Sequence, residues 1–287
     1  MKPIALITGA AGLIGGYLVR SAPRWMPHWD VRGLTRSEAD LTDSTQVRAL
    51  WQRHRPNLVI HCAALSRTGA CEQDPARARL INVDATTQLA DLARDIPFVF
   101  LSSDQVFDGS KGNYVEPDEV NPLNVYGQTK AEAERIVLQN PSHTVIRIAL
   151  TAGTSPTRDR SFVEDMVRVA LKGSTLTLFT DEFRCPIAAG ALARALWESA
   201  AQQRPGLYHL GGCDRLSRWE IGALLARWYP ELAPAIQPGS VADYHGPRRP
   251  PDLSMCSDKI QGLLSFRLPG FRQWVTTGSL SGNDPWE

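Results

Sequence analysis

The chain has 287 residues, 43% of them hydrophobic, and a formal net charge of +1. That length buries a large core and favours one large α/β domain with a smaller lobe. The near-neutral charge removes the electrostatic case for nucleic acid or an anionic membrane surface, and no apolar run approaches membrane-spanning length. The five cysteines are scattered and odd in number, and neither they nor the six histidines show metal-ligand spacing. No metal site is therefore expected, and reduced thiols fit a cytoplasmic protein. Met1-Lys2-Pro3 runs straight into a strand, with no apolar signal-peptide segment.

Taken in order, Ile4–Thr8 reads as a buried strand running into Gly9-Ala10-Ala11-Gly12-Leu13-Ile14-Gly15 and then an amphipathic helix. Val31–Leu34 is a short strand. Ser44–His54 has helical spacing with Val47, Leu50 and Trp51 apolar, and Leu58–His61 is a strand bounded by Pro56-Asn57. Ala76–Arg94 is one long helix by pattern, Phe98–Leu101 a strand, Glu132–Leu138 helical and Thr144–Ile148 a strand. Strands alternating with helices predict an α/β fold, a Rossmann-type doubly wound parallel sheet whose ligand lies at the carboxyl ends of the strands. Residues 1–152 should form this dinucleotide-binding domain. Residues 153–287 should form mainly a substrate lobe, with helix Phe162–Leu171, strand Leu176–Phe179 and helix Ala191–Ala201. A segment near 184–201 should return to the first domain. Pro234–Pro251 reads as irregular loop, and Gly278–Glu287 as a loose tail. Trp197, Trp219, Trp228 and Trp274 sit in helical patterns and are expected in the core.

Three motifs carry chemistry. Gly9 permits a tight turn, Gly12 lets backbone amides approach phosphate oxygens, and Gly15 lets the helix pack closely on the strand. The helix N-terminus then presents unsatisfied donors to an anion. Tyr126 and Lys130 are spaced i, i+4, so on a helix they share a face. The ammonium is expected to lower the phenol's pKa and tune Tyr126 as a proton donor. Ser102-Ser103-Asp104 stands at the carboxyl end of the fourth strand, where a Ser hydroxyl can hydrogen-bond the oxygen that Tyr126 protonates. A turn-forming Ser-Asp pair and a solvated Tyr/Lys pair are the structural alternatives; the order of all three motifs argues against them. After the second strand, Thr35 stands where an acid would repel a 2′-phosphate and Arg36 can pair with one. NADP(H) is thus favoured, with NAD(H) open.

These motifs make the chain resemble the extended short-chain dehydrogenase/reductases, and within them the dTDP-4-dehydrorhamnose reductase family. The likeness rests on Thr8–Gly15, Ala39–Asp43, Val59–Ala64, Ser102–Gly109 and Pro122–Lys130, with a weaker echo at Arg249-Pro250 and Ser257–Leu264. The resemblance implies an NADPH-dependent reductase of a nucleotide-linked 4-keto-6-deoxysugar, and leaves a homodimer open. Tyr126 would be the acid/base, Lys130 would hold the nicotinamide ribose, and Ser103 would orient the carbonyl. Gly9, Ala11, Gly12, Leu13, Ile14, Gly15, Arg36, Asp40, Leu41, Ala63, Ala64 and Ser102 would line the cofactor, with Asn82 in support. Asp104, Gln105, Val106, Phe107 and Arg184 would face the substrate, and Arg158, Arg160, Arg184 and Arg249 are cationic candidates for its diphosphate. Two departures bear on the sugar. Gln105 stands where the family commonly has Tyr, and Arg147–Gly153 lacks the family's aromatic residues. A nucleotide-sugar epimerase with tightly bound NAD, and a regulatory subunit like that of methionine adenosyltransferase, are the alternatives.

Overall fold

In the computed structural model, which describes residues 2–277, the first half runs β1 (Ile4–Thr8), α1 (Leu13–Trp25), β2 (Asp30–Leu34), α2 (Ser44–His54), β3 (Leu58–His61), α3 (Thr68–Gln73), α4 (Pro75–Arg79), α5 (Ala85–Leu92), β4 (Phe98–Ser103), α6 (Val125–Val137) and β5 (Thr144–Ile148). The second half runs β6 (Thr151–Ala152), α7 (Phe162–Leu171), β7 (Leu176–Phe179), β8 (Phe183–Arg184), β9 (Ile187–Ala188), α8 (Ala189–Gln202), β10 (Gly206–Leu210), β11 (Leu216–Ser217), α9 (Arg218–Leu225), β12 (Ile236–Gly239), α10 (Asp258–Gln261) and α11 (Phe271–Thr277). The loose tail expected at Gly278–Glu287 lies outside the described residues.

Six strands form one parallel sheet in the order β10-β5-β4-β3-β1-β2. The order reverses between β1 and β3, which opens a crevice at their carboxyl ends. Thr8 pairs with His61 there, so the glycine turn and Cys62-Ala63-Ala64 leave the sheet side by side. The strands are apolar on both faces because helices cover both. Ala5, Ile7, Leu58, Ile60, Val99 and Leu101 pack toward α1 and α8. Leu6, Val59, Phe98, Phe100 and Val145 pack toward α2, α5 and α6. Trp197 of α8 is fully buried, and its indole N–H donates to the Leu18 carbonyl at 3.2 Å, fixing α8 on α1. Trp274 is also in this core, with Trp219 and Trp228 packed against it.

Four local features differ from the sequence pattern. The long helix is two helices, α4 and α5, joined by a π turn at Leu80–Asp84 that carries Asn82. The helix read from Glu132 begins at Val125, because buried Asn124 accepts the Gly127 N–H and caps it; caps lie outside the amphipathic stretch. β10, hidden by its polar His209, carries the chain back as the sixth strand. Within the Pro/Gly-rich stretch, Ile236–Gly239 forms an edge strand beside β7, where Pro238 is tolerated. The lobe is built on the pairs β7–β12, β8–β11 and β6–β9. One apolar cluster runs from the sheet through Tyr17 into Val163, Met166, Leu178 and Ile221, joining lobe and sheet around the crevice.

Candidate active site

Gly9 has φ +70°, in the left-handed region, and an added Cβ would stand 2.8 Å from the Ala63 amide. A Cβ on Gly15 would stand 2.4 Å from the Gly9 carbonyl oxygen. At Gly12 an added Cβ would meet only the Gly9 oxygen, at 3.1 Å, so it would fill the open side of the turn. Gly12 is the N-cap of α1 and has no capping side chain, and the first turn holds no acid. The amides and dipole of a 13-residue helix therefore face an open cradle, and a phosphate anion fits it. Leu13 is spent on the core, so it can serve a ligand only through its backbone; Ala11 is exposed and Ile14 half-buried.

The floor of the crevice is pinned by a buried chain of hydrogen bonds. Thr8 Oγ1 accepts the Cys62 and Ala63 amides at 3.1 Å each. His61 links Thr8 at Nδ1 (2.7 Å) to Thr86 at Nε2 (3.0 Å), and Thr86 donates onward to the Asn82 carbonyl. That direction makes His61 the Nε2–H tautomer. Burial, and then Lys130, push its pKa down to about 3, so the ring is neutral. Asn82 accepts the Leu65 amide at 2.8 Å and donates to Thr129 at 3.0 Å; Thr129 in turn donates to the Tyr126 carbonyl. The π turn thus ties the loop after β3 to the helix bearing Tyr126, and π turns recur at functional sites.

Tyr126 and Lys130 lie on α6 facing the end of β4, and both are buried. Lys130 Nζ stands 4.0 Å from the Phe100 ring centroid. Burial lowers the Lys130 pKa to about 7, opposed by Glu134 and then Cys62. The expected lowering of the Tyr126 pKa is not found. Burial raises it well above the ordinary phenol value, the Ser103 hydroxyl opposes this, and Asp104 and Cys71 raise it further. Desolvation of the phenolate outweighs the opposing Ser103 contact.

Gly127 sets the approach of α6. An added Cβ would lie 2.1 Å from the Gln105 carbonyl oxygen and 2.9 Å from Pro122. Gly127→Ala is expected to push the start of α6 off the 3₁₀ turn at Asp104–Val106, costing about 1–3 kcal/mol by overpacking. A shift of that kind lowers turnover on the order of 100-fold. Thermal melts and kcat check this; a wild-type kcat would show that the close approach does not position Tyr126.

The structure redistributes several expected site residues. Ser103 donates to Asp104 Oδ1 at 3.1 Å, and Ser102 Oγ is buried with no partner. Val106 and Phe107, expected to face substrate, are fully buried, and Phe107 stacks on Tyr114 with centroids 4.0 Å apart. Their side chains belong to a core cluster with Leu253 and Met255. The Gln105 side-chain oxygen accepts from Asn124 at 2.9 Å. Asp40 accepts the Thr42 amide and hydroxyl, contacts that lower its pKa, and Leu41 packs against the core. Thr35, read as leaving its position without an acid, holds the Glu38 carboxylate through its amide (2.8 Å) and hydroxyl (2.9 Å). Arg36 is exposed beside it.

In the lobe, Glu182 is 1% exposed and gathers Arg184 at 2.9 Å and Arg249 at 2.6 Å. The Arg218 amide donates to the Glu182 carbonyl at 2.9 Å. Burial pushes the Arg218 guanidinium down to about 10, with Glu182 opposing and Arg184 and Arg249 reinforcing. Three guanidiniums against one carboxylate leave net positive charge next to Asp104, with which Arg184 and Arg218 both interact. Sequence reading named Arg184 and Arg249 but missed Arg218 and Glu182. The signal for Arg218 was the capping box Ser217-x-x-Glu220, which starts α9 at Arg218. The other two candidates lie apart from this set: exposed Arg160 pairs with Asp159, and Arg158 is exposed with φ +55°. All five cysteines are free, and among the described residues no helix is long and apolar enough to cross a membrane.

Against known proteins, a family model described as "RmlD substrate binding domain" matches residues 1–278. A dTDP-4-keto-6-deoxy-D-glucose reductase of Streptomyces niveus is 34% identical, with 77% of each chain covered. Methionine adenosyltransferase 2 subunit beta of Xenopus laevis is 33% identical over 77% of this chain and 71% of its own. In fold, the chain superposes on a dTDP-4-dehydrorhamnose reductase from Bacillus anthracis, solved in complex with NADP, with a TM-score of 0.86, 22% identity and coverage of 96% and 98%. With the glycine turn, Ser103, Tyr126 and Lys130 all at one end of the sheet, and the match running through both sheet and lobe, the chain belongs to the RmlD substrate-binding-domain family.

Proposed function

We propose that this protein is a cytoplasmic, NADPH-dependent reductase of a nucleotide-linked 4-keto-6-deoxysugar. The observation that carries the reading is that Ser103 and Tyr126 interact at the end of β4, on the same edge of the sheet as the open glycine cradle. Gly9, Gly12, Gly15 and the amides opening α1 would hold the pyrophosphate. Arg36 would pair with the 2′-phosphate, Glu38 being already committed to Thr35. Ala63 and Ala64 would lie beneath the cofactor, and Lys130 would hold its nicotinamide ribose. NADPH supplies the hydride.

The chain's own residues handle the proton and the fit. Ser103 hydrogen-bonds the carbonyl oxygen, and Tyr126 gives that oxygen its phenolic proton. Burial keeps the phenol protonated, so that it can donate once negative charge develops on the substrate oxygen. Asp104 and Gln105 would face the sugar. Arg184, Arg218 and Arg249 would take the diphosphate. A half-buried, unbalanced cation cluster costs stability by itself, and an anion relieves that cost.

The test is NADPH oxidation against a panel of nucleotide-4-keto-6-deoxysugars, with Arg36→Ala alongside. Wild type should turn over at least one member. Arg36→Ala should weaken NADPH binding by roughly tenfold, the scale of one charge-assisted contact, while leaving NADH binding unchanged. Unchanged NADPH affinity in that variant would remove the cofactor assignment. The subunit-beta relative supports a second reading, a binding protein that takes up NADPH and acts by association; tight NADPH binding with no turnover anywhere on the panel would select it.

A further inference from the structure

Behind Ser103 lies a carboxyl group to which the reduction scheme gives no part in moving the proton. Asp104 is 5% exposed, and its Oδ2 is buried with no hydrogen-bond partner. Its Oδ1 receives the Ser103 hydroxyl at 3.1 Å, while Ser103 Oγ accepts the Gln105 amide at 3.2 Å. Ser103 also interacts with the Tyr126 phenol and favours its phenolate. Ser103 therefore connects the Asp104 carboxyl to the Tyr126 phenol. A buried carboxyl with one idle oxygen is expensive to keep if it serves packing alone.

We propose that Asp104 resupplies the proton of Tyr126 through the Ser103 hydroxyl. The inference rests on the reductase reading above. When the Tyr126 O–H bond breaks, its proton goes to the substrate oxygen and its electron pair stays on the phenolate. The Ser103 hydroxyl, which donates to Asp104 Oδ1 in the resting site, turns and gives its proton to that phenolate, and the Asp104 carboxyl proton moves to Ser103 Oγ. Asp104 is left as a carboxylate facing Arg184 and recovers its proton from water. With one hydride delivered to the carbonyl carbon, each turnover consumes one proton, and the relay returns to its starting state.

The surroundings suit a carboxyl that keeps its proton up to about pH 6. The charged and titratable groups around it are Tyr126 on α6, Glu182 and Arg184 at β8, Cys185 after it, and Arg218 on α9. Burial raises the Asp104 pKa to about 6, with Arg184 and Ser103 opposing and Glu182 reinforcing. Reduction needs the protonated form, so its rate should fall as pH rises through about 6. Oxidation of the alcohol needs the carboxylate, and its rate should rise over the same interval. The folded value lies above the ordinary carboxyl value of 3.8, so the stabilising contribution of this group is complete below about 4 and is lost as pH rises through about 6.

The experiment compares wild type with the near-isosteric Asp104→Asn. Measured are kcat and KM in both directions from pH 5 to 9, NADPH affinity, thermal midpoints at pH 4 and pH 8, and carbon-13 titration of the aspartate carboxyls. Expected for the variant are loss of both pH limbs, a kcat lowered about tenfold or more with KM little changed, and disappearance of the carboxyl that titrates near 6. Its midpoint should exceed that of wild type at pH 8 only. Matching pH profiles in the two proteins would overturn the relay and leave the reductase reading standing. A wild type that reduces no keto-sugar would overturn both.

Discussion

Tyr126→Phe is expected to lower the reduction rate by roughly 10²–10⁴-fold, the range associated with a positioned acid or base. The ring is buried at 8% exposure, and Phe fills the same space, so α6 and its cap should be retained. No backbone bond depends on the hydroxyl: the Tyr126 carbonyl receives Thr129, and the cap runs from Asn124 to Gly127. NADPH affinity and substrate KM should therefore stay near wild type while kcat collapses, the pattern of an interaction made in the transition state. Single-turnover kinetics separate this from slow product release. A Phe variant reducing its substrate at the wild-type rate would remove Tyr126 from the mechanism, whatever the merits of the rest of the site.

The second large effect is structural and reaches the site indirectly. Glu134 and Arg147, at 4% and 5% side-chain exposure, pair at 2.9 Å between α6 and β5, with further Nε contacts at 3.1 and 3.2 Å. His209 of β10 stands 3.3 Å from the same guanidinium. Removing one partner strands the other charge in the interior, which typically costs about 3–5 kcal/mol. Glu134→Gln should therefore lower the thermal midpoint by roughly 10 °C in a chain of this size. Glu134 is also the group that most opposes the burial-driven fall of the Lys130 pKa to about 7, so its loss should leave Lys130 more often neutral at pH 7 and weaken NADPH binding. Replacing both partners with apolar residues should restore much of the stability, because no charge is then left unpaired. Stability in that double variant with NADPH affinity still weakened would separate the packing role from the electrostatic one. Equal stability of Glu134→Gln and wild type would mean that the pair contributes nothing net.

What the sequence by itself determined is local. Strand periodicity, glycine spacing and i, i+4 geometry act within a few turns of chain. They made the parallel sheet, the glycine turn with its helix N-terminus, the strand end at Ser103 and the shared face of Tyr126 and Lys130 legible without coordinates. They also placed Trp197 in the core. Tertiary structure decided everything that depends on desolvation or on residues far apart in the chain. Burial, invisible in a spacing, reversed the expected shift of the Tyr126 phenol and raised the Asp104 carboxyl. Val106 and Phe107 went to the core because the Leu253–Met255 segment closes over them, and nothing near residue 106 announces that segment. Glu38 folds back onto Thr35, a contact that the type of residue 35 alone does not announce. The convergence of Arg184, Arg218 and Arg249 on Glu182 brings together β8, α9 and the loop before residue 250. Only the packed lobe creates that proximity, and with it the net positive charge beside Asp104.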